Sequence, residues 1–390
     1  MDIFGLSAAQ IDSAGAHWTA REVLQQPQIW AQIDAMIAAE GRRLAAFLDP
    51  LLKVPELRIV LTGAGTSAHI GACLAPALAR HQAHRVDAIP TTDLVASPRS
   101  YLGAEQPTLL VSFGRSGNSP ESVAAVEIAD ASVRHCAHLI FTCDAGGALY
   151  KRGATASNTC VVLLPEASND RSFAMTSSFT GMLFAAALAF GIVQTGGARS
   201  AALAYLAQQV LPAHVPLLQS LAGGNFARVV YLGSKEFTGL ARESALKMLE
   251  LTDGKIVAVA DSPLGFRHGP KTILNGDTLV VVFVSNDAYT RQYDLDLIAE
   301  LRRDSVAGRV VALSARPDPA AHPDNLLLEA PQASTEASDI ELCLPFAMFA
   351  QTLALLRSLC LGGRPDNPNA AGTVSRVVKG VSIHAWRNTA

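Results

Sequence analysis

The sequence predicts an α/β protein with two tandem, doubly wound parallel-sheet lobes that follow an N-terminal helical arm. Two observations support this fold class. Short apolar runs alternate with helical stretches, which is typical of a parallel sheet covered by helices. Three strand–loop junctions also recur at an offset of 170 or 171 residues, which indicates two copies of one α/β unit. At 390 residues the chain is long enough for both lobes.

The helical arm is expected to come first. An apolar stripe with helical spacing runs from Val23 to Ile37. Thr19-Ala-Arg-Glu22 has the spacing of a capping box, which predicts a helix start, and Asp49-Pro50 predicts the end of the arm. We expect the arm at residues 1–50, the first lobe at 51–195, the second lobe at 223–363 and a C-terminal tail at 364–390.

The repeated strand–loop junctions define the two copies. Arg58–Gly63 returns as Arg228–Gly233, Leu109–Phe113 as Leu279–Phe283, and His138–Cys143 as Arg309–Ser314. The continuous apolar runs are typical of strands that are buried on both faces. Where the first copy has Gly-Arg-Ser-Gly117, the second copy has Val-Ser-Asn-Asp287. We therefore expect one phosphate-binding loop for the pair of lobes.

The loop Gly114–Ser119 carries the strongest indication of a ligand. It follows an apolar strand and precedes a helix that Pro120 can open. Free N–H groups and the helix dipole attract an anion at such a helix start. Ser116 and Ser119 add hydroxyl donors, and Arg115 adds a charge-assisted donor. This arrangement predicts a bound phosphate monoester.

The turn after the first strand predicts a second set of donors. In Gly63-Ala-Gly65 the next glycine is Gly71, which comes three positions too late for the GxGxxG pattern of dinucleotide-binding proteins. NAD(P) is therefore disfavoured. Thr66 and Ser67 place two hydroxyls at the same edge of the sheet, where open α/β sheets bind ligands. Ser67 is predicted to bind the phosphate or the sugar.

Acid–base groups are concentrated in the second copy. Glu243, Lys247 and Glu250 have the spacing i, i+4, i+7, which places them on one face of a helix. A solvated ion pair is the alternative interpretation of this spacing. His268 lies between Arg267 and the dipeptide Gly269-Pro270 on an exposed loop, where a histidine can act as a general acid or base.

Other kinds of site are weakly supported. Gly114–Asn118 lacks the final glycine of a nucleophile elbow, and Ser244-Ala-Leu-Lys247 matches only a three-letter SxxK pattern. His81-x-x-His84 and His135-x-x-His138 lack a further carboxylate or cysteine pair, so no metal is expected. Proton transfer would need no redox cofactor either, and we predict that the protein uses no cofactor.

Composition limits the partners and the compartment. A net charge of −3 gives no reason to expect nucleic acid or an anionic membrane as a partner. The six cysteines form no CxxC pair and follow no secretory signal, which favours reduced thiols in the cytoplasm. The most apolar run, Gly181–Val193, has 13 residues and is expected to be a core helix.

Taken together, these motifs resemble those of tandem sugar-isomerase (SIS) domain proteins. The matching segments are Gly63–Ser67, Ser112–Ser122, Ala241–Glu250 and Phe266–Pro270. Over roughly residues 40–385 the chain resembles the isomerase half of glucosamine-6-phosphate synthase. It is most similar to the bacterial group called galactosamine-6-phosphate deaminase or tagatose-6-phosphate ketose/aldose isomerase, which Asp170–Ser178 and Gly372–Gly380 also fit.

The resemblance implies roles for individual residues. The 6-phosphate of a sugar would be held by Ser67, Arg115, Ser116 and Ser119. Glu250 would move a proton between C1 and C2, while Glu243 and Lys247 steer or stabilise charge. His268 would open the sugar ring, and in the family it can reach in from a neighbouring subunit. The remaining substrate-binding positions would be Gly65, Thr66, Thr176 and Lys379.

The resemblance also implies an activity. Because the chain has no glutaminase domain, we expect it to release ammonia from an amino sugar. The expected reaction converts a 2-amino-2-deoxyhexose 6-phosphate, preferably galactosamine 6-phosphate, to tagatose 6-phosphate. The alternatives are aldose–ketose isomerisation without nitrogen and a non-catalytic sugar-phosphate sensor. The family also implies a homodimer or homotetramer with its active site near a subunit interface. Arg115 and Gly114 depart from the synthase, which has an uncharged residue and a serine there.

Overall fold

Two parallel five-stranded sheets flanked by helices form the protein, as the sequence predicts. The structure is a computed structural model that describes residues 3–196, 198–317, 322–327, 336–376, 378 and 380–386, without the side chains of 198–200 and 209–211. The chain divides into two compact units. The first-sheet unit comprises Gln32–Asp170, Ser177–Gly196 and Gly372–Ala390, and the second-sheet unit comprises Met1–Ala31, Arg171–Thr176 and Gly197–Ala371.

The predicted arm consists of three helices. They are α1 (Ala8–Ser13), α2 (His17–Leu24) and α3 (Gln26–Leu52). The capping box predicted at Thr19 is wrong, because α2 begins before it at His17. The Glu22 carboxylate accepts the N–H of Ser172 at 3.2 Å instead. Helix α3 also continues two residues beyond Pro50, because the proline removes its own hydrogen bond to residue 46 but not the N–H donors of the two residues that follow it.

The first sheet has the strand order β2-β1-β3-β4-β5, and all its strands are parallel. Its strands are β1 (Arg58–Thr62), β2 (Arg85–Ala88), β3 (Thr108–Gly114), β4 (Cys136–Thr142) and β5 (Thr159–Leu163). The helices between and after them are α4 (Thr66–His81), α5 (Thr91–Ala96), α6 (Pro98–Tyr101), α7 (Pro120–Ser132), α8 (Ala148–Gly153) and α9 (Ser177–Ala189), with a 3₁₀ turn at Glu166–Ser168. Strand β1, which lies between β2 and β3, is buried at all five positions, which explains the apolar run Ile59–Leu61 within it.

The second sheet has the order β10-β9-β8-β6-β7. Its strands are β6 (Arg228–Gly233), β7 (Val257–Asp261), β8 (Thr278–Phe283), β9 (Arg309–Ser314) and β10 (Asn325–Leu327). The helices are α10 (Ala198–Ala213), α11 (Val215–Ala222), α12 (Glu236–Leu251), α13 (Pro263–Phe266), α14 (Ala288–Asp304) and α15 (Asp339–Cys360), with a 3₁₀ turn at Pro270–Ile273. In reverse this order is β7-β6-β8-β9-β10, which corresponds strand by strand to β2-β1-β3-β4-β5 of the first sheet. The repeat predicted from the sequence therefore holds for the topology.

Two apolar helices are buried. Helix α9, which covers most of the predicted run Gly181–Val193, is almost fully buried, as expected. Among the described residues one helix, α15, is long and apolar enough by length and composition to cross a membrane. In this structure 94% of its most apolar window is buried inside the protein. Such burial is typical of a core helix.

Candidate active site

The predicted phosphate loop connects β3 to α7. Ser119 precedes α7 in an extended conformation, and Pro120 is the first helical residue. The Ser119 hydroxyl donates to Ser122 Oγ at 2.6 Å and does not cap the helix. The half-buried Ser116 accepts the N–H of Asn118 at 3.3 Å through its Oγ. The loop thus presents the hydroxyls and the helix start that an anion site needs.

Arg115 is buried beside this loop, with 6% of its surface exposed. Its Nη2 donates to the carbonyl oxygen of Arg376 at 2.9 Å. The guanidinium of Arg376 in turn donates to the carbonyl of Asp170. The sequence predicted a guanidinium directed at phosphate, whereas the structure gives Arg115 at least one partner in the C-terminal segment. That partner is 261 residues away, so no local pattern could have indicated it.

The second donor set lies at the start of α4. Gly65 precedes this helix with φ +56°, and its conformation turns the chain from strand into helix. Thr66 and Ser67 follow and are both buried. Three further hydroxyls of the first-sheet unit are buried without a hydrogen-bond partner among the described residues: Thr62, Thr91 and Ser112. Sequence reasoning missed them, because a hydroxyl residue inside or just after an apolar strand carries no distinguishing pattern.

The three charged residues of α12 share one face, as their spacing predicts. Lys247 is 1% exposed, and its Nζ lies 3.4 Å from Glu243 Oε1 and donates to the carboxylate of Glu250. Glu243 is equally buried, whereas the Glu250 side chain is 23% exposed. Burial of these charges excludes a solvated surface ion pair. One cation thus lies between two carboxylates, and Glu250 is the carboxylate that remains partly accessible.

His268 lies on an exposed loop between α13 and the 3₁₀ turn. In the described part of the chain no hydrogen bond involves its ring. Its neighbour Gly269 has φ +124°, a conformation that favours glycine. The loop is thus suited to present an imidazole to a ligand.

The equivalent of the phosphate loop in the second sheet is filled by the protein's own carboxylates. Asp339 accepts the Ser285 hydroxyl at 2.5 Å and the N–H of Asn286 at 2.8 Å. Asp294 accepts the N–H of Ser285 at 2.9 Å, and burial raises the pKa of Asp294 to about 6. Two buried carboxylates would repel a phosphate, which is a physical reason for a single phosphate loop.

The candidate residues divide between the two units. The first-sheet unit contains Gly65, Thr66, Ser67, Arg115, Ser116 and Ser119. The second-sheet unit contains Thr176, Glu243, Lys247, Glu250 and His268. Thr176 is fully buried. Lys379 lies outside the residues that the structure describes.

Within the described residues one group offers three potential metal ligands: Asp130, Cys136 and His138. His138 Nε2 lies 2.8 Å from Asp130 Oδ1, and Arg152 also pairs with this carboxylate. Burial lowers the pKa of His138 and raises that of Cys136 to about 12. Among the residues that the structure describes, the buried Nδ1 of His138 has no hydrogen-bond partner, whereas a metal-bound histidine normally donates its second N–H. The group fits a hydrogen-bond network better than a metal site.

Comparison with known proteins shows relatives along nearly the whole chain. Residues 52–191 match the SIS domain. The chain is 48% identical over 378 residues to the D-galactosamine-6-phosphate deaminase AgaS of Escherichia coli O157:H7, covering 96% of this chain and 97% of that protein. It is 43% identical to the protein of the same name from Shewanella sp. ANA-3, with 98% and 95% covered.

A solved structure is also similar to this protein along nearly the whole chain. The crystal structure of tagatose-6-phosphate ketose/aldose isomerase from Escherichia coli superimposes with a TM-score of 0.88 and 46% identity, covering 95% of this chain and 97% of that one. A glutamine–fructose-6-phosphate aminotransferase from Xylella fastidiosa is more distant, at 26% identity over 70% of this chain and 45% of that protein.

Proposed function

This chain belongs to the AgaS family of SIS-domain enzymes, and from that premise we propose that it converts galactosamine 6-phosphate to tagatose 6-phosphate and ammonia. The observation that carries the proposal is the Glu243–Lys247–Glu250 group on α12, in which Glu243 and Lys247 are buried and Glu250 is partly exposed. A carboxylate held against a lysine and still partly accessible is suited to take a proton from a substrate carbon.

Phosphate binding is assigned to the first-sheet unit. The start of α7 is not capped by the Ser119 side chain, and its N–H groups favour an anion. Ser67, Ser116 and Ser119 supply hydroxyl donors, and Arg115 supplies positive charge next to the loop. A phosphate held there would fix one end of a sugar 6-phosphate.

Proton transfer is assigned to the second-sheet unit. His268 protonates the ring oxygen as the sugar opens to the aldehyde. Glu250 then takes the C2 proton and returns a proton to C1, through an enolamine whose developing oxyanion Lys247 stabilises. The product is a C2 imine, which adds water and releases ammonia to give the ketose. These reaction steps conserve all atoms and transfer no electrons to an external acceptor.

A second candidate function is aldose–ketose isomerisation of a hexose 6-phosphate without nitrogen. It is favoured by the solved relative, which is named as a tagatose-6-phosphate ketose/aldose isomerase. The same carboxylate could move a proton between C1 and C2 of a neutral sugar, because a C2 hydroxyl can take the place of the amino group and give the C2 carbonyl directly.

Ammonia release distinguishes the two activities. We expect the purified protein to release ammonia from galactosamine 6-phosphate, faster than from glucosamine 6-phosphate, and to form the ketose in equal amount. Ketose formation only from galactose 6-phosphate, without ammonia from either amino sugar, would favour the isomerase instead.

Glu250→Gln tests the proposed base. General acid–base catalysis typically contributes about 10²- to 10⁴-fold, so kcat should fall by that order while the affinity for a non-reacting hexitol 6-phosphate stays within about threefold. Glu56→Gln, at an exposed position before β1, is the matched control and should retain activity. Equal losses of turnover and of phosphate-ester binding would count against Glu250 as the base.

A further inference from the structure

The loop that carries His268 is fastened to α14 on both sides of the histidine. Arg267 Nε donates to Glu300 Oε2 at 2.8 Å. Lys271 Nζ donates to the other oxygen of Glu300 and, at 2.6 Å, to Asp304 Oδ2. The two oxygens of Glu300 thus hold one cation from each flank of His268.

This cluster is charged and only partly buried. Hydrogen bonds from Lys271 to Asp304 and Glu300 raise the pKa of Lys271. The hydrogen bond from Lys271, followed by that from Arg267, lowers the pKa of Glu300. The four side chains are 23–33% exposed. Partly exposed ion pairs add little to the stability of a fold, so stability alone does not account for this convergence.

The contacts to Glu300 join the loop of His268 to a helix. In the described chain no hydrogen bond involves the His268 ring, and Gly269 beside it has no side chain to restrain the backbone. On one side Phe266 is fully buried and fixes the end of α13. Beyond Phe266, the His268 N–H donates to the Gly265 carbonyl at 2.9 Å and the Gly269 carbonyl accepts the Thr272 N–H at 3.0 Å, which shapes the turn. The contacts from Arg267 and Lys271 to Glu300 tie this turn to α14.

We propose that Glu300 is a positioning residue for His268. Through Arg267 and Lys271 it fixes the loop so that the imidazole reaches the ring oxygen of the sugar phosphate. The proposal rests on the proposed function, in which His268 is the acid that opens the ring. A general acid must lie within hydrogen-bonding reach of its acceptor, so a loosened loop slows the reaction without removing the acid.

A double-mutant cycle tests this role with the full-length protein and galactosamine 6-phosphate. We expect Glu300→Ala to lower kcat by about tenfold to 100-fold, with KM within about threefold. In a His268→Ala background the same substitution should change kcat by less than about twofold, because no acid remains to be positioned. Asp324→Asn is the matched control: it removes the negative charge that pairs with Arg309 at 2.6 Å in the same unit, and the variant should retain activity.

The outcomes separate this proposal from the proposed function. If His268→Ala is slow but Glu300→Ala is not, the positioning role is overturned and the acid role stands. The positioning role would also be overturned if the fold-losses in kcat of the two single variants multiply in the double variant, since Glu300 would then act independently of His268. If His268→Ala reacts like the unsubstituted protein, the acid role fails and the positioning role fails with it. Glu300→Gln keeps the size of the side chain and serves if the alanine variant does not fold.

Discussion

Lys235 has a backbone conformation that glycine adopts in the first copy of the repeat. Its φ and ψ are +55° and −121°, and those of Gly65, 170 residues earlier, are +56° and −125°. For a residue with a Cβ this conformation costs about 1–3 kcal/mol. Lys235 Nζ lies 3.1 Å from the buried carboxylate of Asp339. The two copies thus share a helix start, and in the second copy a lysine side chain at this strained position pairs with a carboxylate.

This geometry predicts an unusual order of stability at position 235. Lys235→Gly and Lys235→Ala both lose the ion pair with Asp339, but only alanine keeps the strained Cβ. We expect the glycine variant to have the larger free energy of unfolding, by about 1 kcal/mol. Urea unfolding of both variants measures the difference. At the exposed Lys151 in α8 the same pair should show the opposite order, since alanine favours a helix. A more stable alanine variant at position 235 would contradict the strain.

At this scale, what the sequence predicted depends on how far apart the interacting residues lie. The shared face of Glu243, Lys247 and Glu250 follows from helical spacing alone, and the structure has it. The partner of Glu22 lies 150 residues away, so its capping-box spacing was misleading. The Arg115 contact with Arg376 and the positive φ of Lys235 are likewise tertiary properties that leave no local signal.

At the scale of elements, both sheets use one tight junction between strand and helix. A Cβ added at Gly63, after β1, would lie 2.6 Å from backbone and side-chain atoms of Ser67. A Cβ at Gly233, the last residue of β6, would lie 2.5 Å from Phe237. In each copy the helix therefore begins against the end of the strand, which places Thr66 and Ser67 at the edge of the first sheet.

Gly63→Ala should therefore destabilise the protein. Because the nearest atoms include the backbone of α4, the helix must shift, and overpacking of this kind costs about 1–3 kcal/mol. Gly41→Ala in α3 is the matched control. Outside the nearby backbone of α3, no atom of the described residues lies within 4 Å of the added methyl group, and the variant should gain about 0.5–1 kcal/mol. Thermal unfolding compares the two. A Gly63→Ala variant as stable as the unsubstituted protein would show that the junction can relax.

Most strands of both sheets could be predicted from the sequence, and the elements that could not be predicted lack a clear apolar pattern. Buried parallel strands are continuous apolar runs, and the duplication repeats that pattern along the chain. Both sheets and the repeat could therefore be predicted from the sequence. Strand β10 has only three residues and offers no periodicity. Buried polar residues such as Glu341 and Gln351 divide the apolar sequence of α15 into runs that are shorter than the helix.

At the scale of the whole molecule, the tryptophans report on the two units separately. Of the three in the chain, Trp18 and Trp30 belong to the second-sheet unit. Trp386 belongs to the first-sheet unit, where its Nε1 donates to Ser132 Oγ at 3.0 Å. Proteins with two compact units need not unfold in one step, so a probe confined to one unit is required. A Trp386→Phe background leaves only the fluorescence of Trp18 and Trp30, which belong to the second-sheet unit.

In that background Asp294 should make the stability of the second-sheet unit depend on pH. Burial raises its folded pKa to about 6, above the unfolded value of about 3.9. The folded state therefore binds an extra proton between these values, and the free energy of unfolding falls as the pH rises from about 4 through about 6. The full effect is on the order of 3 kcal/mol. Asp294→Asn keeps the size of the side chain and removes its charge. In urea unfolding, the free energy of unfolding of this variant should therefore rise relative to that of the aspartate protein as the pH increases across this interval. A difference between the two that stays constant from pH 4 to 7 would contradict the raised pKa.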